Sequence, residues 1–312
     1  MRAEKGPLKD PSRSLLASVF LSPDERRLRA GWRLLAHSIL LLVLLSGTTM
    51  AVIVAAVIAG PEPFSVQPLS LLELAPTAVA VALSVWIARR LIDRRSFVSL
   101  GLRLDRRAPL DVLVGFLVAG TAVAGIYVVE AGAGWLRFDG WAWEAMPAGQ
   151  VALQLVAALL GFTLVGYYEE LLSRGYHLQN IQDGIGLGWG VFLSSVVFAL
   201  MHIANPNTTW YSVLLGLTAA GGFFAFGWIR TRQLWMPIGL HIGWNFFEGN
   251  VFGFPVSGIG VMGLIRQAPT GPVALTGGAF GPEAGLIVLP AMAVGVGLIW
   301  LYTRGRSPAS ST

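Results

Sequence analysis

The chain has no cysteine among its 312 residues. Disulfides, iron–sulfur clusters and thiolate metal sites are excluded with it. Charge is scarce as well. Asp, Glu, Lys and Arg make up 12% of the residues, against about 25% in an ordinary soluble domain. No internal repeat is visible, which weakens a transporter reading, because many transporters are built from two related halves. There is no His-Glu-x-x-His, so the zinc-protease helix is missing. Ser257, the late-loop serine beside a glycine, has no histidine after it, against a rhomboid-like Ser/His pair. Nor does the net charge of +5 point to nucleic acid. The arginines gather in short connections beside apolar runs, where the positive-inside rule accounts for them.

What is present is mostly apolar, at 54%, and several runs of about 20 residues have the length of membrane spans. The expectation is an all-α, polytopic membrane bundle of about eight helices. They fall roughly at 34–59, 68–88, 110–133, 150–182, 187–203, 209–229, 234–250 and 284–303. The run beginning near Leu34 is too long for a signal-peptide core, so it reads as a true span and no cleavable leader is apparent. Residues 1–33 then form a basic tail, 34–303 the transmembrane domain and 304–312 a second tail. Every second connection is basic: Arg89, Arg90, Arg94, Arg95, Arg103, Arg106 and Arg107, then Arg230 and Arg232, then Arg304 and Arg306. The others carry Glu62, then Arg137, Asp139 and Glu144. Both tails are therefore expected in the cytoplasm of a multi-pass protein, with a bacterial cell membrane as the expected location. The Arg89–Arg107 cluster reads as a topology signal and an anchor for anionic lipid. Trp135, Trp141 and Trp143 suit the outer interface. The Gly- and Pro-rich stretch 251–282 should not be helical, and reads as a connector in preference to a lid.

Two adjacent glutamates, Glu169 and Glu170, interrupt this pattern inside an apolar run. A carboxylate in hydrocarbon costs about 2.5–3.5 kcal/mol by insertion scales, so a pair needs a reason. Arg174 follows Glu170 by one turn on the same face. The turn signal Asp183-Gly184-Ile185-Gly186 makes the fourth and fifth runs an antiparallel hairpin. Glu169 then lies about 20 Å before the turn and His202 about 22 Å after it, which brings them level. His241 and Asn245, at i and i+4 in the seventh run, share a face. Amide hydrolysis needs an activated water, donors for the oxyanion and a proton for the leaving amine. A partly desolvated glutamate suits acid/base work, and His202 would share its water. His241 and Asn245 would donate to the oxyanion, while Arg174 neutralises Glu170 and leaves Glu169 for the water. Metal ligation is the alternative: Glu169, His202 and His241 would be the ligands of a divalent ion such as zinc with an open position. Phe198 is assigned to packing beneath the site, His37 to a structural role and His177 to a solvated or interfacial one. Asn205 divides evenly between capping and lining the cavity.

Three motifs in order, Glu169-Glu170-x-x-x-Arg174, Phe198-x-x-x-His202 and His241-x-x-x-Asn245, resemble those of the CPBP family. This family, also called ABI, holds CAAX-processing proteases and bacteriocin-processing or immunity proteins. Leu234-Trp235-Met236-Pro237-Ile238 before His241 and Asn245-Phe246-Phe247 fit as well. The similarity covers about 150–250. It implies an intramembrane endopeptidase acting on a membrane-associated protein or peptide within the lipid bilayer. The family's water-activating pair falls on Glu169 and His202, and its oxyanion pair on His241 and Asn245. Two other function classes stand beside this one. One is a non-proteolytic immunity or scaffold protein of the same fold, and the other a proton-coupled transporter.

Overall fold

The structure is a computed structural model that describes residues 19–22, 27–59 and 71–306. Most of the basic 1–33 tail, Glu62 in the first connection and residues 307–312 lie outside the described residues. The architecture is an all-α bundle with apolar helices in each of the eight expected ranges. These are α1 (Ala30–Ala59), α2 (Leu71–Ile87), α3 (Ala108–Gly132), α4 (Ala148–Glu170), α5 (Leu178–Ile185), α6 (Leu187–Leu200), α7 (Thr218–Thr231), α8 (Trp235–Asn245) and α9 (Val288–Thr303). A wider π-helical turn, Leu171–His177, joins α4 to α5, so the two run as one rod from 148 to 185. Similar turns follow α2 (Ala88–Ile92), precede α7 (Ser212–Leu217) and follow α8 (Phe246–Val251). Helix α1 begins at Ala30.

Among the described residues, five helices are long and apolar enough to cross a membrane: 30–58, 71–92, 108–132, 148–185 and 212–231. The chain is an integral membrane protein. Helix α6, with 14 residues, is one of the shorter ones. It rises only about 21 Å at 1.5 Å per residue, less than the roughly 30 Å hydrocarbon thickness. Its end therefore stops partway along the bundle, and His202 sits just beyond it.

Close packing through glycine sets the position of α8. A Cβ on Gly239 would stand 2.1 Å from the Val112 carbonyl oxygen, and one on Gly243 would stand 2.4 Å from that of Phe116. Both contacts are with α3. Two small residues four apart let backbones approach to this degree, the usual device of helix pairs in lipid. On its other side α8 meets α4, and Ile238, Ile242, Phe162 and Leu171 share one buried cluster. A second cluster joins α3, α6, α7, α8 and α9 through Val123, Phe198, Phe223, Leu240, Trp244 and Met292.

Two features depart from the sequence reading. A short antiparallel ribbon, β1 (Leu136–Trp141) with β2 (Ile265–Pro269), lies among the connections and carries an irregularity between Phe138 and Gly140. It involves part of the 251–282 stretch, which thereby folds back onto the bundle. The lipid-anchor reading also fails for part of the arginine cluster. Arg89 is 2% exposed and pairs with Asp93 at 2.9 Å, while Arg95 joins Arg27 and Arg33 on Asp183. These arginines tie α1, α2 and α5 together at the bundle's arginine-rich end. Trp141 and Trp143, by contrast, are exposed and stack at 5.0 Å, as interfacial residues do.

Candidate active site

Glu169 and Glu170 end α4, and the wide turn after them makes them diverge. Glu170 points inward and is fully buried, as is Arg174. The Arg174 guanidinium donates to Glu170 Oε1 at 2.9 Å and to the Gly221 carbonyl at 2.9 Å. It also lies 4.4 Å from the Phe198 ring centroid and 5.2 Å from that of Phe224, in cation–π contact. The same Glu170 oxygen accepts from His241 Nδ1–H at 2.9 Å. Phe224 stacks on the His241 ring at 4.9 Å with an interplanar angle of 14°. One carboxylate thus fixes an arginine and an imidazole, and the aromatic rings fix their planes.

Glu169 takes the other direction, toward a cavity of about 430 Å³. Its Oε2 lies 3.8 Å from His202 Nε2 and 3.9 Å from His241 Nε2. His202 Nδ1–H donates to the Phe198 carbonyl at 2.9 Å. Both imidazoles therefore have Nδ1 engaged on the far side, which turns Nε2 toward Glu169. The separations are too long for a direct hydrogen bond. Polar atoms this far apart can share a water that sits beside them in the cavity. Asn245 lines the same cavity. All four expected residues, Glu169, His202, His241 and Asn245, are brought together on one void, with Glu170 and Arg174 behind them. Among the described residues, no group of three or more His, Cys, Asp or Glu is arranged to hold a metal ion. Glu169, His202 and His241 are donors of the right chemical type, yet as placed they are not gathered into a ligand set.

Other residues fall differently. The 251–282 segment is more than a connector, because Val256, Ser257 and Ile259 form part of the cavity wall. Glycines gave it turns, and the turns fold it inward. Glu283, unremarked in the sequence, also lines the cavity. The signal was a lone carboxyl in Gly281-Pro282-Glu283 directly before an apolar run. Asn205 both lines the cavity and donates to the Ser257 carbonyl at 2.9 Å. His177 is not solvated: it is half-buried, with its ring 6.0 Å from that of His37. His37 is fully buried and shares a hydrogen bond with Ser84. The cavity extends away from the polar groups between α1, α2 and α4, where Leu41, Leu45, Val81 and Phe162 line it.

A comparison with curated proteins finds no match. Residues 151–247 match the family described as type II CAAX prenyl endopeptidase Rce1-like. The matched segment contains Glu169, Glu170, Arg174, His202, His241 and Asn245. With its ordered motifs and this match, the 151–247 segment is similar to the type II CAAX prenyl endopeptidase Rce1-like family.

Proposed function

We propose that this protein is a glutamate-type intramembrane endopeptidase that hydrolyses a peptide bond of a membrane-associated protein or peptide. The observation that carries the reading is the approach of Glu169 Oε2 to both imidazole Nε2 atoms, at 3.8 and 3.9 Å. In this reading a water in that gap gives a proton to Glu169 and is oriented by His202 Nε2. Its oxygen attacks the scissile carbonyl carbon. The oxyanion that forms accepts hydrogen bonds from Asn245 Nδ2–H and from His241, which offers Nε2–H in its doubly protonated form. Glu170 supports that form through the Nδ1–H bond, and Arg174 offsets the charge of Glu170. The departing amine also needs a proton. The apolar arm of the cavity suits the hydrocarbon part of a membrane-bound substrate. For a divalent ion such as zinc to bind, Glu169, His202 and His241 would have to shift from these positions into a ligand set. No step above runs through it, and metal analysis of the purified protein tests for one.

The test compares membrane-peptide profiles of cells carrying the wild type and Glu169→Gln. Loss of a general base lowers turnover by about 10²–10⁴-fold, so uncut substrate should accumulate in the variant. His202→Ala should give the same accumulation at equal expression. Identical profiles would contradict the reading. Binding of a partner that survives in both variants would favour the scaffold reading, and proton-coupled flux in liposomes the transporter.

A further inference from the structure

One wall of the cavity has no part in the chemistry above. Glu283 comes from the short turn Pro282–Ala284 before α9 and is 4% exposed, yet it lines the same void as Glu169, His202 and His241. It is held from one side. Ser257 donates to Glu283 Oε2 from its backbone N–H at 2.9 Å and from its hydroxyl. Ser257 is itself fixed, because Asn205 donates to its carbonyl and its φ of +46° is a conformation that side-chain-bearing residues seldom adopt. Three connections, 201–209, 252–263 and 277–285, are thus locked together to present one carboxyl. Both of its hydrogen bonds fall on Oε2. Among the described residues, no arginine or lysine lines the cavity to pair with it.

We propose that Glu283 is the general acid of the reaction, giving its carboxyl proton to the nitrogen of the breaking amide bond. The assignment rests on the protease reading above. Two carboxyls in one cavity with different surroundings divide acid from base work, the more enclosed one serving as the acid. Here Glu169 faces the void with its side chain 14% exposed, whereas Glu283 is enclosed. Burial pushes the Glu283 carboxyl up, while the Ser257 donors and the imidazoles of His202 and His241 pull it down, with the rise prevailing. Glu248, buried behind it against Gly281, also faces it.

The proton count closes. Glu169 gains a proton from water as the C–O bond forms, and Glu283 loses one to the amine nitrogen as the C–N bond breaks. The new carboxylic acid then ionises to the amine product, and a cavity water returns the Glu169 proton to Glu283.

The test uses the full-length protein in nanodiscs and a pooled library of acylated tripeptides. Each is made as an anilide and as a nitrophenyl ester, because a phenolate leaves without a proton and an anilide nitrogen does not. Glu283→Gln should lower anilide turnover by about 10²–10⁴-fold and keep most of the ester turnover. Glu169→Gln should lower both. Ser257→Ala, which keeps the carboxyl but loses one donor to it, should show a smaller loss confined to the anilides. Equal loss on anilide and ester in Glu283→Gln would overturn the assignment and leave the protease reading standing. No turnover of either series by the wild type would remove both. Infrared difference spectra at neutral pH provide a readout that needs no substrate. Wild type minus Glu283→Gln should contain a protonated-carboxyl stretch, and a carboxylate signature in its place would also overturn the proposal.

Discussion

Arg174 holds the site in place from behind the cavity wall. It is fully buried, bridges Glu170 to the Gly221 carbonyl, and lies against Phe198 and Phe224. Removing one partner of such a pair leaves an uncompensated charge and costs about 3–5 kcal/mol. Arg174→Gln should therefore lower Tm in detergent well below that of Glu169→Gln, whose side chain touches the cavity instead. Equal Tm values for the two variants would contradict this division of labour. The division was legible in part. Helical spacing paired Glu170 with Arg174 and left Glu169 free, as the geometry has it. What spacing does not reveal is the second bond of Glu170, to His241, since that depends on how α8 is rotated against α4. Glu283 was missed for a related reason: a carboxyl in a Gly-rich segment carries no periodicity by which to judge which way it faces.

Among the elements, Glu169 and His202 lie level on their hairpin because the glycine turn near 186 is a local signal and helix rise is constant. Gly186, with φ +94°, ends α5 where that signal lies. The wide turns were not legible. Leu171–His177, Ser212–Leu217 and Phe246–Val251 each adjoin a segment that contributes to the cavity. π-Helical turns of this kind cluster at functional sites, and a one-residue expansion leaves no compositional mark. The α3–α8 contact was legible as Gly239-x-x-x-Gly243, two small residues four apart on one helix face. Gly239→Val would push a branched side chain into the Val112 carbonyl. Overpacking of this sort costs about 1–3 kcal/mol. The variant should show a lower Tm and, because α8 carries His241 and Asn245, weaker peptide processing. A Tm unchanged from wild type would argue against so close an approach.

For the whole molecule, charge distribution was the most informative feature of the sequence and also the most ambiguous. The arginines mark one end of the bundle, but Arg89 and Arg33 do so from buried ion pairs with Asp93 instead of from the lipid surface. Sequence alone cannot separate the two, because both place arginine at a span's end. The proposed orientation is open to a direct test, since the chain has no cysteine of its own. Leu104→Cys and Phe138→Cys introduce thiols at exposed positions, 85% and 54% accessible, in successive connections. A membrane-impermeant maleimide should reach them from opposite sides, Leu104→Cys from the cytoplasmic side. Labelling of both from one side would contradict the proposed topology. The central claim is that a water activated by Glu169 cuts a peptide bond, and isotope-labelled water tests it most directly. Purified protein in nanodiscs is given a pooled membrane-peptide library in ¹⁸O-enriched water. The account predicts new carboxyl termini that each carry one ¹⁸O from the cleaving step, and none from Glu169→Gln. Labelled termini at undiminished rate in Glu169→Gln, or none from the wild type, would contradict it.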